Sequence, residues 1–505
     1  MRKTLSLISL IKQIIFAICM THFVTFAPSP GFATGPETSP RPMWRPGSVL
    51  PDGIETLIAD RKFKGEFSFS LFDLTTRTVI EDRNPTFPMT PASVTKTITA
   101  LYALDTLGPD HRFETRVLAT GPINNGALQG DLILVGSGDP TLDSDRLYDL
   151  VQRVKQTGLR KIEGMFYYVT DNFPQVYQID QGQPVFVGYN PAIGALNLNF
   201  NRFYFEWVRT GAGYNTTLDA RGALVKPKVS LAQVEISEGT GPIFGYTHGT
   251  DIERWKVLRT ALGQKGGRWL PVRNPNRYTA EVFREIAQGA GIALAPPTAA
   301  QTVRTGTTLA TDQSPALGDI IKDMLFYSTN LTAEVIGLAA SRRAGHDPAT
   351  LNASAQHMTT WARTRLGMAQ TTFYDHSGLS DKTRMTAQDM IAALTSVIDI
   401  DPGFEMRLKS IRPRTATGNL DTASTAKIMA KTGTLNFVSA LAGYLTAQDG
   451  RKYAFALFSR DMTARQNADN ENSEQPKGSM AWLTRSRNVQ SGLMYRWARL
   501  DGATN

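Results

Sequence analysis

The chain has a single cysteine in 505 residues, and that residue, Cys19, lies in an apolar stretch close to the N-terminus. Downstream of it no disulfide, thiol nucleophile or cysteine metal site can form. The residues before Cys19, Phe16-Ala17-Ile18, fit a lipid-attachment box poorly. Histidine is almost as scarce, with six residues scattered along the chain and no His-Glu-x-x-His pattern, which argues against a metal hydrolase. Dense Lys/Arg runs and basic stripes interleaved with aromatics are missing, so nucleic acid is not an expected partner. Beyond the N-terminus no apolar run reaches the ~18 residues that a membrane span requires.

What is present begins with a leader. Arg2 and Lys3 precede a largely apolar segment, and Gly31-Phe32-Ala33 offers small residues at the −3 and −1 places of a cleavage after Ala33. This is the pattern of a signal peptide over residues 1–33, with an uncleaved anchor as the alternative. The formal net charge is +9; Arg2, Lys3 and Lys12 supply three of these charges without an acid, leaving +6 on the remainder. A moderately basic remainder suits anionic surroundings such as cell-wall polymers or membrane surfaces, and equally an ordinary soluble protein. Hydrophobic residues make up 41% and charged residues 20%, a globular balance, and the length supplies about three domains of material.

Residues 34–47 are rich in Pro, Gly and Ser and read as a linker. Gly65 to Leu71 alternates apolar and polar residues, a strand signal, and a second strand near Thr78 to Glu81 completes a hairpin. Thr90-Pro91 reads as an N-cap followed by proline at the first helical position. The helix that follows carries Val94, Ile98 and Leu101 on one stripe, with Ala100, Ala103 and Leu104 widening it, as in a buried helix. From about Asp105 to Thr311 short strand-like runs such as Leu132–Val135 alternate with turn residues, so this region reads as mainly β. Gly136-Ser137-Gly138-Asp139-Pro140 within it is a turn and not a dinucleotide fingerprint. Ser314 is the expected cap of a helix running to about Phe326. A short connection, Tyr327 to Asn330, leads to another helix starting near Leu331. Helical patterns continue to about Ile400, with Thr386 as a cap. Ser439–Leu445 and Tyr453–Phe458 flank Asp449-Gly450, a hairpin signal, and the tail from about Ser479 to Leu500 reads as helix.

Three short motifs carry chemistry. In Ser93-Val94-Thr95-Lys96 the serine and lysine share one helix face. Serine is a weak nucleophile until a base takes its proton, and lysine can be that base only when neutral. Burial and a second nearby cation both favour the neutral amine. In Ser328-Thr329-Asn330 a hydroxyl and an amide two residues apart on a tight turn can relay a proton and hold a peptide carbonyl. In Lys431-Thr432-Gly433-Thr434, read as the start of a strand, the missing side chain of Gly433 would let a substrate backbone approach the strand edge. Lys431, Thr432 and Thr434 can bind a carboxylate, and the amides of Ser93 and Thr434 could face a developing oxyanion. Each motif is weak alone: Ser-x-x-Lys recurs at Ser9/Lys12 and Ser424/Lys427, and Ser-x-Asn recurs at Ser486-Arg487-Asn488. The bland readings are surface decoration, a helix-capping turn and an ordinary edge strand. The conjunction is informative, because the three occur in order, 235 and 103 residues apart, each in the local context it needs.

That trio resembles the penicillin-binding proteins and class A β-lactamases. The long gap after Ser93 makes the chain similar to class C low-molecular-mass penicillin-binding proteins, the D-alanyl-D-alanine carboxypeptidase/endopeptidases. Further likeness lies in Gly130-Asp131-Leu132, Gly136 to Thr141, Asp375-His376-Ser377-Gly378-Leu379-Ser380 and Lys431 through Gly443. Two departures stand out. Thr329 occupies a position where the family often has Asp or Asn, and His376 one where it more often has Gly, a change expected to act on loop geometry or substrate preference near the cleft.

The resemblance implies an α/β (α+β) fold, with a serine β-lactamase/transpeptidase-like domain formed by residues 48–104 and 312–505. A mainly β insertion at 105–311 interrupts it and is expected to shape the cleft or contact glycan. It also implies that Ser93 attacks a D-alanyl carbonyl and that Lys96 takes its proton. Ser328 and Lys431 return a proton to the leaving amine, Asn330 orients the acyl side, and Thr432, Gly433 and Thr434 form the substrate strand. The substrates would be peptidoglycan stem peptides, with β-lactams as covalent inhibitors, no metal or organic cofactor, an exported and periplasmic location, and a peripheral membrane or wall association at most. A β-lactamase-like hydrolase, a Ser-x-x-Lys esterase and a non-catalytic peptidoglycan-binding protein remain as alternatives at this level.

Overall fold

The computed structural model describes residues 54–500 apart from 171–172, 212, 241–242, 248–251 and 471. The leader (1–33), the linker (34–47) and residues 48–53 lie outside the described residues.

The centre of the fold is a six-stranded sheet in the order Lys409–Ile411, Lys427–Leu435, Val438–Thr446, Lys452–Arg460, Glu66–Asp73, Thr78–Arg83, every neighbouring pair antiparallel. The first and the last of the described strands therefore pair in the same sheet. The Lys452–Arg460 strand is buried along almost its whole length, because both sheet faces are covered. Strand alternation separates its side chains. Tyr453, Phe455 and Leu457 join Trp482, Leu493 and Trp497 of the Ser479–Trp497 helix in one core. Ala454, Ala456 and Phe458 join a second core with Ile98, Leu101, Ile321, Val335 and Met358 from the helices on the other face. The Asp449-Gly450 hairpin forms as its sequence demands, with Gly450 at φ +89°.

The helical layer contains Thr95–Leu107, Leu317–Tyr327, Asn330–Arg343, Leu351–Leu366 and Ala387–Ser396. Thr386 caps the last, its side chain accepting from Asp389 N at 3.0 Å. Two expected caps are corrected. Thr90 is not an N-cap: Ala92–Val94 form a 3₁₀ turn before the α-helix begins at Thr95, without a side-chain cap, and buried Thr90 instead accepts from Arg384. Ser314 does not cap the Leu317 helix either. Its hydroxyl accepts from Phe113 N at 2.9 Å, a bond across 201 residues that outcompetes the local one.

Residues between the Thr95–Leu107 and Leu317–Tyr327 helices build a five-stranded sheet in the order Thr298–Ala300, Phe166–Val169, Leu132–Gly136, Glu114–Ala119, Thr307–Gln313, and three smaller three-stranded sheets. Two helices that the sequence reading did not single out, Ser144–Gln156 and Pro275–Gly289, share its core, capped by Asp143 and Asn274. Arg146 pairs with both Asp139 (2.7 Å) and Asp312 (2.5 Å), joining the early and late parts of this region.

Candidate active site

Ser93 sits in the 3₁₀ turn and Lys96 one turn on, inside the α-helix. The i, i+3 relation brings Lys96 Nζ to 2.9 Å from Ser93 Oγ. The same ammonium donates to Asn330 Oδ1 at 2.7 Å and to the carbonyl of Ser377 at 2.7 Å. Lys96 is 0% exposed, and desolvation lowers its pKa to about 7 against the pull of Asp375 and Glu334. Half of the amines are then neutral near pH 7, which is the state a base requires.

The second motif lies on the inter-helical turn as expected. Ser328 adopts a left-handed conformation (φ +60°) at the end of the Leu317–Tyr327 helix, and Asn330 begins the next helix. Asn330 faces two ways: Oδ1 accepts from Lys96, and Nδ2 donates to Tyr189 O at 2.9 Å. A loop between the Phe166–Val169 and Arg202–Thr210 strands is thereby fastened to the Ser93–Lys96–Asn330 cluster.

The third motif lies in the second half of the Lys427–Leu435 strand, not at its start. Pairing with the short outer strand ends at Ala430, so among the described residues Lys431–Leu435 are paired on one side only. Lys431 is 2% exposed and donates to Ser328 Oγ and Thr432 O, both at 2.8 Å. Burial, with Lys96 and Lys409 nearby, holds its pKa well below the usual lysine range. A cleft of about 300 Å³ is lined by Ser93, Ser328, Asn330 and Thr434, with Tyr189 and Gln183 on its wall. Thr432 is exposed and lies outside this lining.

Gly433 requires a correction. A Cβ there would lie 2.5 Å from Pro91 O and 3.1 Å from Ser93 N. Its bare Cα faces the turn that carries the nucleophile and lets that turn seat against the strand. A second glycine does the same from another segment: Gly378, at φ +72°, is packed so tightly on Ala92 O that no Cβ fits. Ala92 itself has φ +46°, a conformation that L residues adopt at a cost. The two glycines therefore hold the Ser93 turn from two sides.

The sequence reading attached no role to the residues that fix Lys96. Glu334, one turn after Asn330, is fully buried and accepts from His376 N (3.0 Å) and Ser377 N (2.8 Å). Asp375 accepts from Gly378 N and Ser380 N, both at 2.7 Å. These carboxyls clamp the loop whose Ser377 carbonyl receives Lys96 and whose Gly378 grips the nucleophile turn. Burial pushes the pKa values of both carboxyls above the usual carboxylate range. An acid within the apolar run Leu331–Leu338 was the available signal for Glu334. Tyr189 left none, because its contribution is a backbone carbonyl. The His376 ring does not line the cleft. Its ring is fully buried, hydrogen-bonded to Ser354 Oγ at 2.8 Å and packed where a side chain at Gly337 would otherwise go.

Among the described residues no group of three or more His, Cys, Asp or Glu side chains could hold a metal ion. The assembled groups are those of acyl transfer: a hydroxyl nucleophile, a neutral amine base, a second hydroxyl–amine pair and an open strand edge.

Comparison with known proteins agrees with this geometry. A protein named D-alanyl-D-alanine carboxypeptidase DacB, from Haemophilus influenzae, is 28% identical over 422 residues, covering 75% of this chain and 82% of its own. A D-alanyl-D-alanine carboxypeptidase from an Actinomadura strain is 25% identical over 443 residues, covering 81% and 80%. The crystal structure of penicillin binding protein 4 from Haemophilus influenzae superposes with a TM-score of 0.69 at 22% identity, covering 87% of this chain and 99% of that one, so the fold is shared. The family model for the D-Ala-D-Ala carboxypeptidase 3 (S13) family matches residues 50–484, through all three motifs, and the chain belongs to that family.

Proposed function

We propose that this protein is a serine DD-peptidase that cleaves D-alanyl bonds of peptidoglycan stem peptides as carboxypeptidase, endopeptidase or both. The contact of Lys96 Nζ with Ser93 Oγ, made by an amine whose pKa is near 7, carries the reading. Neutral Lys96 takes the hydroxyl proton as Ser93 Oγ bonds to the D-alanyl carbonyl carbon. The amides of Ser93 and Thr434 stabilise the oxyanion, a contribution of ~10²–10³ in rate for each such donor. As the C–N bond breaks, the departing amine receives a proton through Ser328 and Lys431, which are hydrogen-bonded at 2.8 Å. Water then releases the acyl group. Asn330 orients the acyl carbonyl with the second N–H of Nδ2, the first being held by Tyr189 O, and Thr432 and Thr434 take the terminal carboxylate. The substrate lies along the open Lys431–Leu435 edge as an added strand.

Residues 105–311, on this reading, are an insertion that walls the cleft through Gln183 and Tyr189. β-Lactams, as mimics of the D-alanyl end, acylate Ser93. The Met1–Ala33 leader exports the protein, and the periplasm is its place of action.

Release of D-alanine from an acylated tripeptide ending in D-Ala-D-Ala tests the activity. Turnover by the wild type and none by Ser93→Ala is expected. Undiminished turnover in Ser93→Ala would remove the assignment.

A further inference from the structure

Phe326 and Tyr327 end the Leu317–Tyr327 helix immediately before Ser328, and their rings stand in solvent, 47% and 65% exposed. The two rings meet edge to face with centroids 4.8 Å apart. Lys409 Nζ lies 4.5 Å from the centre of the Phe326 ring, a cation–π contact that steadies it. Single exposed apolar side chains are ordinary, but two rings held together beside a reactive hydroxyl mark a surface built to be covered. Neither ring lines the cleft around Ser93.

The sheet shows what reaches them. Lys409 opens the short outer strand and pairs with Ala430. From Lys431 onward that edge of the Lys427–Leu435 strand is open, and the proposed substrate lies there as an added strand. This lane continues the one filled by Lys409–Ile411, so a chain within it runs, at its Lys431 end, into Lys409 and the Phe326 ring. The departing amine takes its proton through Ser328 and Lys431, so the leaving side of the substrate is the side that points there. A departing D-alanine fills only about 3.5 Å of the lane. A cross-linked substrate departs with a whole second stem peptide, several residues long, which goes on past Lys431.

We propose that Phe326 and Tyr327, steadied by Lys409, form a subsite for the second stem peptide of cross-linked peptidoglycan and thereby favour endopeptidase cleavage over release of D-alanine. The inference rests on the DD-peptidase reading. The rings cover the aliphatic part of the diamino residue whose side-chain amine departs, which removes apolar surface from water on both partners. The bond changes are those of the same reaction. Ser93 Oγ bonds to the D-alanyl carbonyl carbon, the C–N bond breaks, and the proton goes to the side-chain amine of the second stem in place of the α-amine of D-alanine. The acyl side is common to both substrates, so the rings act only on the leaving side, where the two differ.

The test compares, for the full chain, kcat/KM for cleavage of a soluble cross-linked dimer of stem peptides with kcat/KM for release of D-alanine from the uncross-linked pentapeptide stem. Phe326→Ala and Tyr327→Ala each lower the value on the dimer by roughly 3- to 20-fold, the range for uncovering part of an aromatic ring. The double variant loses more, and Tyr327→Phe, which keeps the ring, loses little. Release of D-alanine and acylation by penicillin stay at the wild-type rate in all four. Equal losses on dimer and pentapeptide would mean that the rings only support the Ser328 turn and would overturn the proposal. An unchanged dimer-to-pentapeptide ratio would overturn it too, as would a wild type that releases D-alanine and leaves the dimer intact. Wild-type protein that hydrolyses neither substrate would instead remove the DD-peptidase reading, and this proposal with it.

Discussion

The pH dependence of acylation follows from the surroundings of Lys96. Burial lowers its pKa from 10.5 to about 7. Only the neutral amine can accept the Ser93 proton, so the rate rises with pH and levels off once Lys96 is deprotonated. With a midpoint near 7 the neutral fraction grows from about one-tenth at pH 6 to about nine-tenths at pH 8, a gain of roughly tenfold. An ordinary lysine at 10.5 would be less than about 1% neutral at pH 8, and the rate would climb tenfold per pH unit to beyond pH 10. Stopped-flow acylation by a chromogenic cephalosporin, from pH 5.5 to about 10, separates the two. A plateau above about pH 8 is expected. A log-linear rise continuing past pH 9 would refute the buried-base argument.

Three further outcomes are expected. Gly433→Ala pushes a methyl toward Pro91 O and the Ser93 amide, and Gly378→Ala toward Ala92 O; each slows acylation by about 10²-fold, measured by the same stopped-flow assay, because the nucleophile turn is displaced. Glu334→Gln loses one of two amide acceptors in a buried site and lowers stability by roughly 1–3 kcal/mol in urea unfolding. It also slows acylation, as the Ser377 carbonyl loses its anchor. His376→Ala lowers stability by roughly 2–4 kcal/mol by opening a buried cavity, while KM for the D-Ala-D-Ala peptide stays unchanged because the ring does not line the cleft. The same variant flattens the acid limb of stability. Folded His376 stays neutral down to about pH 3 while the unfolded residue protonates near 6.5, so the wild type loses stability as pH falls through that window.

The three motifs of the proposed site were legible because the chemistry of each is local: a helix face, an inter-helical turn and a strand. Sequence order joined them, and the structure brings Ser93, Lys96 and Asn330 into one hydrogen-bonded group beside the Ser328–Lys431 pair. The strand alternation at 65–71 and the Asp449-Gly450 turn were legible for the same local reason. What failed depended on contacts across the chain. Gly433 reads as an opening for substrate until Pro91 is seen opposite it. His376 reads as a change to loop geometry or substrate preference near the cleft, and only the fold shows its ring packed against Ser354 and in the space a side chain at Gly337 would need. Ser314 carries a cap signal, but its hydroxyl serves Phe113, 201 residues away. Ser486-Arg487-Asn488 reads only as a chance repeat of the second motif. Its serine is buried against Ser459, whereas its arginine reaches Thr434.

The central claim is that Ser93 forms the acyl bond. Incubation with a fluorescent penicillin, digestion and mass analysis of the labelled peptide test it most directly, with Ser93→Ala alongside. The account predicts one penicilloyl adduct, carried by Ser93 and missing from folded Ser93→Ala. A folded wild type that takes no label, or a label on another residue that persists in Ser93→Ala, would contradict it.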